Sequence, residues 1–454
     1  MADANVPAAE QSPGATPLKR FLSTRTLTIF VIGDVLGAGI YALVGEVSLE
    51  VGGAIWAAFT AALVLAVLTA FAYAELVTKY PQAAGSALYV DRAYGIPFIT
   101  FMVGFAVMCS GITSAGTLSR AFAGDYFKQF LDLPLIPVAI LFIIVVAAIN
   151  LRGIAESVRV NVVLTVVEVV GLALIVLIGI VALADGSADF SRNFEFKQGE
   201  TAVAAIIAGT SLSFFALIGF EDSVNVAEET RDPGRAYPRA LFGGLAVAGV
   251  IYLLVTLTAS MVVPTDVLGE SGKSGGALLE VVAQGPLGIP LKVFAGIALL
   301  AVANGALINM IMASRLLYGM SNRRVLPGLF GHTLAGRRTP HIAIAFTTLI
   351  AIVLIATAGE EGISTLADTT VLLLLAVFTV VNVTVLVLRR EPVEHDHFSA
   401  PVILPVLGAL VSITLIVDTL SGDIAVGLRA GILLLVGVGL WFVNRVFVAR
   451  EAHA

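Results

Sequence analysis

Two apolar stretches of this chain are each interrupted by a short, glycine-containing run that helices avoid. The first run is GDVLGAGIYA at 33–42, and the second is SFFALIGFED at 213–222. In lipid, a backbone N–H or C=O without a partner costs several kcal/mol, so helix breaks at membrane depth occur where they line a cavity or bind a ligand. Because the two breaks occupy corresponding positions in two sets of apolar segments, they predict a membrane transporter with a substrate site between them.

The composition places the chain in a membrane. Apolar residues make up 58% of its 454 residues and charged residues only 13%, and its mean hydropathy is +0.99. These values are typical of a polytopic membrane protein. The formal net charge of −6 gives no reason to expect nucleic acid as a partner. Cys109 is the single cysteine, so it has no partner for an intrachain disulfide or a cysteine metal cluster.

Apolar runs of about 20 residues, which are long enough to cross roughly 30 Å of hydrocarbon, occur about twelve times. The first ten runs divide into two sets of five, and an odd number of crossings lets the second set repeat the first in the opposite orientation. We therefore expect an all-α integral membrane fold of about 12 transmembrane helices, with a 5+5 inverted repeat, two further C-terminal helices, and breaks in helices 1 and 6.

The distribution of positive charge predicts the orientation. Roughly 19 of the 26 Lys and Arg fall in loops on the same side as the N-terminus, which the positive-inside rule assigns to the cytoplasm. We expect the protein in the plasma membrane of a bacterium, with both termini cytoplasmic and no cleavable signal before the first span. The expected segments are a disordered N-terminal tail at 1–25, a transporter core at 26–390 with repeats at 26–185 and 200–390, a cytoplasmic loop at 391–400, helices 11 and 12 at 401–447, and a cytoplasmic tail at 448–454.

The two breaks offer backbone groups to a ligand. The first contains the small residues of the string GAGI at 37–40, and unwinding there exposes N–H groups at the start of a half-helix, which hold a carboxylate well. At the second, Phe214 and Phe215 precede the break, where an aromatic ring can cover a small ligand. The alternative is that both runs serve only the close packing of helices.

Acidic residues inside the apolar runs need a role or a partner, because a carboxylate at mid-membrane costs roughly 2.5 to 3.5 kcal/mol on insertion scales. Asp34 lies one turn before the first break, where it can reach a bound cation or serve as a scaffold. Glu168 stands alone in the fifth run and is a candidate proton carrier or cation ligand. Glu221 and Asp222 follow the second break and either couple protons or cap a restarting half-helix. Glu75 is expected in a salt bridge near the end of its span.

Longer strings of the sequence are similar to a known family. GAGIYALVGEVSLEVGGA at 37–54, AYAELVTKYPQAAGSALYVDRAYG at 72–95 and FFALIGFEDSVNVAEETRDPGRAYPRA at 214–240 resemble the amino acid, polyamine and organocation (APC) superfamily, and most closely its cationic amino acid transporter branch. The strings at 314–327 and 366–390 are similar to the eighth and tenth helices of that branch. The resemblance implies a LeuT-type fold and transport by alternating access.

The resemblance also implies a substrate site. In that fold the carboxylate of the ligand meets the first break, its amine meets carbonyls of the second, and Phe215 takes the place of an aromatic gate. Proton-coupled relatives carry a lysine where this chain has Glu168, so this chain departs from the lysine mechanism. The expected substrate-binding residues are Asp34, Gly37, Ala38, Gly39, Ile40, Phe215, Ala216, Leu217 and Gly219, and the expected proton-coupling residues are Glu168 and Glu221.

The sequence thus predicts a secondary active transporter that imports a cationic amino acid or an organic amine, driven by a proton gradient. The expected partners are this small molecule and the lipid bilayer, and no cofactor or metal is expected beside the coupling proton. A neutral amino acid symporter or an amino acid exchanger is the alternative, in which Asp34 would face away from the site. A membrane enzyme or a channel is disfavoured, because the five His fall in or beside loops or at the terminus and the breaks suit an enclosed site. The oligomeric state stays open.

Overall fold

The computed structural model describes residues 22–82, 85–152, 157–322, 326–334 and 339–451. These residues are helical or irregular and contain no β-strand, apart from isolated bridges that join Leu22 to Thr230 and Gly52 to Phe196. Of the two expected tails, residues 1–21 and 452–454 lie outside the described part of the chain.

Within these ranges the chain forms a succession of α-helices. Their bounds are α1 Thr24–Val35, α2 Gly39–Val51, α3 Ile55–Lys79, α4 Gly85–Tyr94, α5 Pro97–Ala121, α6 Leu135–Arg152, α7 Ser157–Asp185, α8 Ala202–Phe215, α9 Pro233–Val262, α10 Thr265–Gly272, α11 Ala277–Gln284, α12 Leu291–Asn322, α13 His341–Thr357, α14 Gly362–Leu388, α15 Ile403–Gly422 and α16 Ile424–Glu451. A π-helical turn at Phe122–Tyr126 follows α5, and short 3-10 helices occur at Phe190–Phe194, Asp222–Glu229 and Gly328–Gly331.

Most of these helices suit a membrane. Nine helices among the described residues are long and apolar enough to cross one, and α1 and α2 pass the same test together as one span that is bent by 44°. Helices α8 and α13 are apolar but shorter. The all-helical membrane fold is therefore confirmed, whereas the count of twelve crossings and the inverted repeat stay predictions.

Hydrogen bonds between helix ends define two opposite faces of the bundle. At one end, which we call the basic face, Lys79 Nζ donates to the carbonyl of Leu388, so that α3 and α14 end side by side (2.6 Å). At the other end, which we call the acidic face because Glu50 and Glu361 lie there, Trp56 at the start of α3 donates through Nε1 to the carbonyl of Asn193 (2.8 Å). Helices α3 and α14 therefore run in parallel from the acidic to the basic face.

A buried ion pair fastens the basic face. Arg389 donates from Nε and Nη2 to the two carboxylate oxygens of Glu75, at 2.7 and 2.6 Å. The backbone N–H of Ala400 adds a third hydrogen bond to Glu75 Oε2, at 2.8 Å. The Glu75 side chain is only 1% exposed, and this two-pronged geometry satisfies both of its oxygens. The salt bridge expected at Glu75 is present, and it joins α3, the end of α14 and the segment before α15.

Aromatic rings hold the second break against the helices behind it. Tyr73 on α3 makes edge contacts with Phe220 and Phe378, with ring centroids 6.0 and 5.8 Å apart. Phe214, at the end of α8, contacts the same Phe378 on α14 at 5.9 Å. Edge-to-face pairs of this kind favour one relative orientation of the rings. The second break is thus packed on α3 and α14, and Gly219 within it lies against Asp34 of α1.

Candidate functional site

The first break lies where the glycine string predicts it. Helix α1 ends at Val35 and α2 begins at Gly39, so that three residues separate the two half-helices. Gly39 lies directly against the second break, because a Cβ built on it would come within 2.5 Å of Ala216 Cα. Glycine is required at this position for the two breaks to touch.

The second break is longer. Helix α8 ends at Phe215, and regular structure resumes only with the 3-10 helix that begins at Asp222. Gly219 in this interval has a φ of +126°, a conformation that side chains with a Cβ rarely adopt. Its N–H donates to Glu221 Oε2 at 2.9 Å. Glu221 therefore reaches back to fix the irregular backbone, and it makes no side-chain cap on the helix that follows.

One hydroxyl group serves both breaks. Tyr252 on α9 is almost fully buried, and its Oη lies 2.6 Å from the carbonyl oxygen of Val35 and 3.0 Å from that of Ala216. Both carbonyls have lost the helical donor that would otherwise bond to them. Because buried carbonyls without a donor are costly, this hydroxyl stabilises the broken geometry of both spans.

A cavity of about 60 Å³ lies between the two breaks. Its carboxylates are Asp34, Glu168 and Asp222, its amides are Asn304 and Asn309, and among the described residues no Lys, Arg or His lines it. This volume accommodates a few water molecules or a small polar group. The cavity is therefore a small acidic chamber that both broken spans line together with α5, α7 and α12.

Two carboxylate oxygens at this cavity have no hydrogen-bond partner within the described ranges. Glu168 is 0% exposed, and its Oε1 accepts from Asn304 Nδ2 at 3.2 Å, but its Oε2 has no donor. The same holds for Asp34 Oδ2. Buried polar atoms are normally satisfied, and a buried charge needs a partner. The cavity thus provides two acceptor atoms at which a proton or a ligand N–H would be stabilised.

Glu168 is connected to the first broken span through its backbone. Tyr41 on α2 donates from Oη to the carbonyl of Glu168 at 2.7 Å, and Tyr126 donates to the carbonyl of Tyr41 at 2.9 Å. Gly171, one turn after Glu168, leaves room for the Tyr41 hydroxyl. A displacement of α2 would therefore act on the helical turn that carries Glu168.

Most of the residues predicted for the substrate site meet at this cavity. Those that line it are Asp34, Gly37, Ala38, Gly39, Phe215, Ala216, Gly219 and Glu168. Ile40 and Leu217 are buried (0% and 1% exposed) without lining it. Glu221 lines an adjoining cavity of about 20 Å³ between α5, α12 and α14, which shares Asp222 and Asn309 with the first. The roles of all these residues in binding stay predictions.

Sequence reasoning missed several polar side chains of the site. Asn304 and Asn309 lie on α12 and Ser114 lies on α5, and all of them line the cavity. Asn304 and Asn309 are isolated polar residues in a long apolar run, which is a usable but weak signal, whereas Ser114 lies beside Thr113 and does not stand out. Tyr252 gives no such signal, because tyrosine is common in membrane helices and its acceptors lie far away in the chain.

Comparison with known proteins identifies the family. A sequence profile described as Amino acid permease matches residues 22–437. The methylthioribose transporter of Bacillus subtilis (strain 168) is 27% identical over 416 residues, covering 86% of this chain and 87% of that protein. The low-affinity putrescine importer of Escherichia coli (strain K12) is 28% identical, and 85% of each chain is covered.

A plant relative and a solved structure agree with this result. The vacuolar cationic amino acid transporter 4 of Arabidopsis thaliana is 28% identical, covering 86% of this chain and 66% of that protein. The crystal structure of an Eremococcus coleocola manganese transporter mutant has a TM-score of 0.60 at 13% identity, covering 94% of this chain and 96% of that one, which is a likeness of fold alone. These proteins indicate a transporter rather than an enzyme, and the resemblance to the APC superfamily is confirmed. The chain belongs to the amino acid permease family.

Proposed function

We propose that the protein is a secondary active transporter for a cationic amino acid or an organic amine, which binds between the two breaks and crosses by alternating access. The observation that supports this most directly is the charge of the cavity, which three carboxylates line without a cationic side chain among the described residues. At an effective dielectric constant of 20, a unit charge 4 Å from a carboxylate gains or loses about 4 kcal/mol. An ammonium group is thereby favoured, and a second uncompensated anion is excluded.

A carboxylate on the substrate would bind at a different position from the ammonium group, at the N-terminus of α2. Helix α2 begins at the first break, and no side chain caps its N-terminus. Its first N–H groups and the positive end of its dipole favour an anion there. A cationic amino acid would direct its carboxylate to this terminus and its ammonium groups to Asp34, Asp222 and Glu168. An amine without a carboxylate would use the acids alone.

The proposal of proton coupling rests on the position of Glu168. Its buried carboxylate has one amide donor and one oxygen without a partner, so either a proton or a bound cation must neutralise it. We propose that Glu168 exchanges these two occupants during transport. Glu221, which holds the second break and lines the adjoining cavity, is the second candidate for a proton.

The proposed topology uses the same structural features. The proposal counts the nine long helices, the bent pair and the two shorter apolar helices of the described residues as twelve crossings. Two sets of five crossings related as an inverted repeat, in the LeuT-type arrangement, would place the breaks opposite each other. By the positive-inside rule the basic face is cytoplasmic, and the bacterial relatives support a bacterial plasma membrane.

A ligand screen with the purified protein tests the proposal. Thermal stability would be measured with arginine, lysine, putrescine, methylammonium and the neutral amino acid leucine, since a ligand at about 100 times its Kd stabilises by roughly 2.7 kcal/mol. Stabilisation by arginine or lysine supports the cationic amino acid, and stabilisation by putrescine alone supports the amine. A response to leucine alone contradicts a cationic substrate and supports the neutral amino acid alternative.

A further inference from the structure

The loop between α14 and α15 is held at both of its ends by one side chain. Glu75 on α3 accepts hydrogen bonds from the Arg389 guanidinium and from the backbone N–H of Ala400. Arg389 also donates to the carbonyl of Ala400. Residues 389–400, which we call the flap, therefore begin and end at the same point of the basic face. A loop of this length whose ends meet is an Ω-loop, and such loops often have a function.

The tip of the flap lies on the end of α3. The backbone N–H of Phe398 donates to Thr78 Oγ1 at 3.0 Å, and His395 Nε2 lies 3.2 Å from the carbonyl oxygen of Thr78. Just beyond the helix, Tyr80 donates through its hydroxyl to Glu391 Oε2 at 2.9 Å. These contacts fix the flap on the last turn of α3.

The tip also reaches α9. The ring centroid of Phe398 lies 6.0 Å from that of Phe71 on α3 and 6.0 Å from that of Phe242 on α9. Near the start of α9, a Cβ built on Gly234 would lie 3.5 Å from the carbonyl oxygen of Asp396. The flap thus connects the end of α3 with the first turns of α9.

The start of α9 adjoins the contact that joins the two broken spans at the basic face. Leu22, which leads into α1, forms a bridge with Thr230, and the N–H of Arg231 donates to the carbonyl of Leu22 at 2.9 Å. Thr230 follows the 3-10 helix after the second break, and α9 begins at Pro233. A separation of the broken spans at this face must break this contact.

The flap can leave these helices without unfolding them. Several of its side chains are exposed, namely those of Glu394, His395, Asp396 and Ser399. A segment with exposed hydrogen bonds and few buried apolar contacts opens at a low free energy. Its two ends are anchored more firmly, because the Glu75 side chain is only 1% exposed. The tip can therefore lift while the ends stay in place.

We propose that the flap is a latch for the basic face. While it is docked on Thr78 and Phe242, it holds the start of α9 in the position that keeps Leu22 and Thr230 together. Its release lets the two broken spans part at this face. The role of the latch in transport rests on the proposed alternating access, whereas its contacts do not depend on any substrate.

Thiol labelling tests the latch without a ligand. Ser110 lines the cavity of about 20 Å³ and is 4% exposed, so Ser110→Cys in a Cys109→Ala protein provides a single reporter thiol. A membrane-impermeant maleimide would be added to the basic face in proteoliposomes of known orientation. Thr78→Val and Phe398→Ala should each raise the labelling rate about fivefold, the order expected for one lost hydrogen bond or aromatic pair. Ser399→Ala removes an exposed hydroxyl of the flap and is the matched control, which should leave the rate unchanged.

A cross-link distinguishes a latch from a static brace. Gly234→Cys and Asp396→Cys, combined in the Cys109→Ala protein, would be joined with a short bifunctional thiol reagent that a reductant removes. The cross-linked protein should lose exchange of labelled arginine or putrescine and regain it on reduction. Each single cysteine variant with the same treatment is the control and should keep its exchange.

The outcomes separate the latch from the proposed function. An unchanged labelling rate in both Thr78→Val and Phe398→Ala would overturn the latch, and so would native exchange in the cross-linked protein. If the wild-type protein exchanges neither arginine nor putrescine, the proposed function is contradicted, and the labelling rates still decide about the latch. Thermal unfolding shows whether each variant is folded, and if one is not, the other carries the test.

Discussion

Asn304 donates one hydrogen bond to Glu168, across 3.2 Å between α12 and α7, and leaves the second oxygen of that carboxylate bare. A carboxylate with a hydrogen bond to only one of its oxygens is suited to binding a proton and a cation in turn. A fully bonded carboxylate would resist protonation, and one without any donor would be too costly to keep ionised in the membrane. The pair is therefore the first place to look for the coupling of transport to protons.

Glu168→Gln should abolish accumulation driven by a pH gradient, because an amide cannot carry the proton. Exchange of internal for external substrate should continue, since it requires no net proton movement. Uptake of a labelled substrate into proteoliposomes, with and without an imposed gradient, measures both reactions. Asp185→Asn is the control for the loss of a carboxylate elsewhere. Accumulation that still follows the gradient in Glu168→Gln would refute the coupling role.

Asp34→Asn should weaken the binding of an amine or a cationic amino acid by at least about tenfold, which corresponds to 1.4 kcal/mol. The carboxylate lies at the cavity and has a free oxygen, so the lost attraction falls on the charged end of the ligand. Any binding of neutral amino acids should change much less. Titration calorimetry of both ligand classes measures the difference. Equal losses for the two classes would argue for a scaffold role of Asp34.

Tyr252→Phe should lower stability by about 1 to 3 kcal/mol, because it leaves the carbonyls of Val35 and Ala216 without their shared donor. Tyr89→Phe is a matched control, since the Tyr89 hydroxyl is buried and has no hydrogen-bond partner within the described ranges. Its removal should be neutral or slightly stabilising. Thermal unfolding in detergent compares the two variants. A Tyr252→Phe protein as stable as Tyr89→Phe would contradict the role of this hydroxyl.

Gly39→Ala should impair transport and destabilise the protein by about 1 to 3 kcal/mol, as an overpacked core does. The added methyl group would come within 2.5 Å of Ala216 Cα and force the two breaks apart. Gly319→Ala on α12 is the control, because nothing lies within 4 Å of a Cβ there. That change should stabilise the helix slightly. Transport rate and melting temperature are the two measurements, and a Gly39→Ala protein with native values of both would disprove the close contact.

The sequence locates the breaks well because their cause is local. Gly37, Gly39 and Gly219 each weaken a continuous helix, because glycine is a poor helix former. The long apolar runs likewise predict the membrane helices, since length and hydropathy alone decide whether a segment can span. The acidic cavity was partly predictable, because Asp34 and Glu168 are conspicuous in apolar sequence.

The contacts between distant segments were not predictable. The sequence allows Glu221 to be either a helix cap or a proton carrier, whereas in the structure its carboxylate accepts a hydrogen bond from the N–H of Gly219. Ile40 and Leu217 belong to the motifs of the two breaks, but a motif identifies the broken segment and not the direction of each side chain, and neither residue lines the cavity. Partners such as Asn304 depend on how α7 and α12 pack, and no pattern within either helix encodes that register.

The hydrogen bonds from the Tyr252 hydroxyl to the carbonyls of Val35 and Ala216 affect how the two breaks are hydrated during transport. When α1 and α8 move relative to each other, the Tyr252 hydroxyl can remain hydrogen-bonded to only one of the two carbonyls. The other carbonyl must then bind water. A transport cycle that separates the broken spans thus takes up water at a defined step and releases it at another. Solutes that lower water activity without entering the protein should then slow turnover even when substrate and proton gradients are held constant.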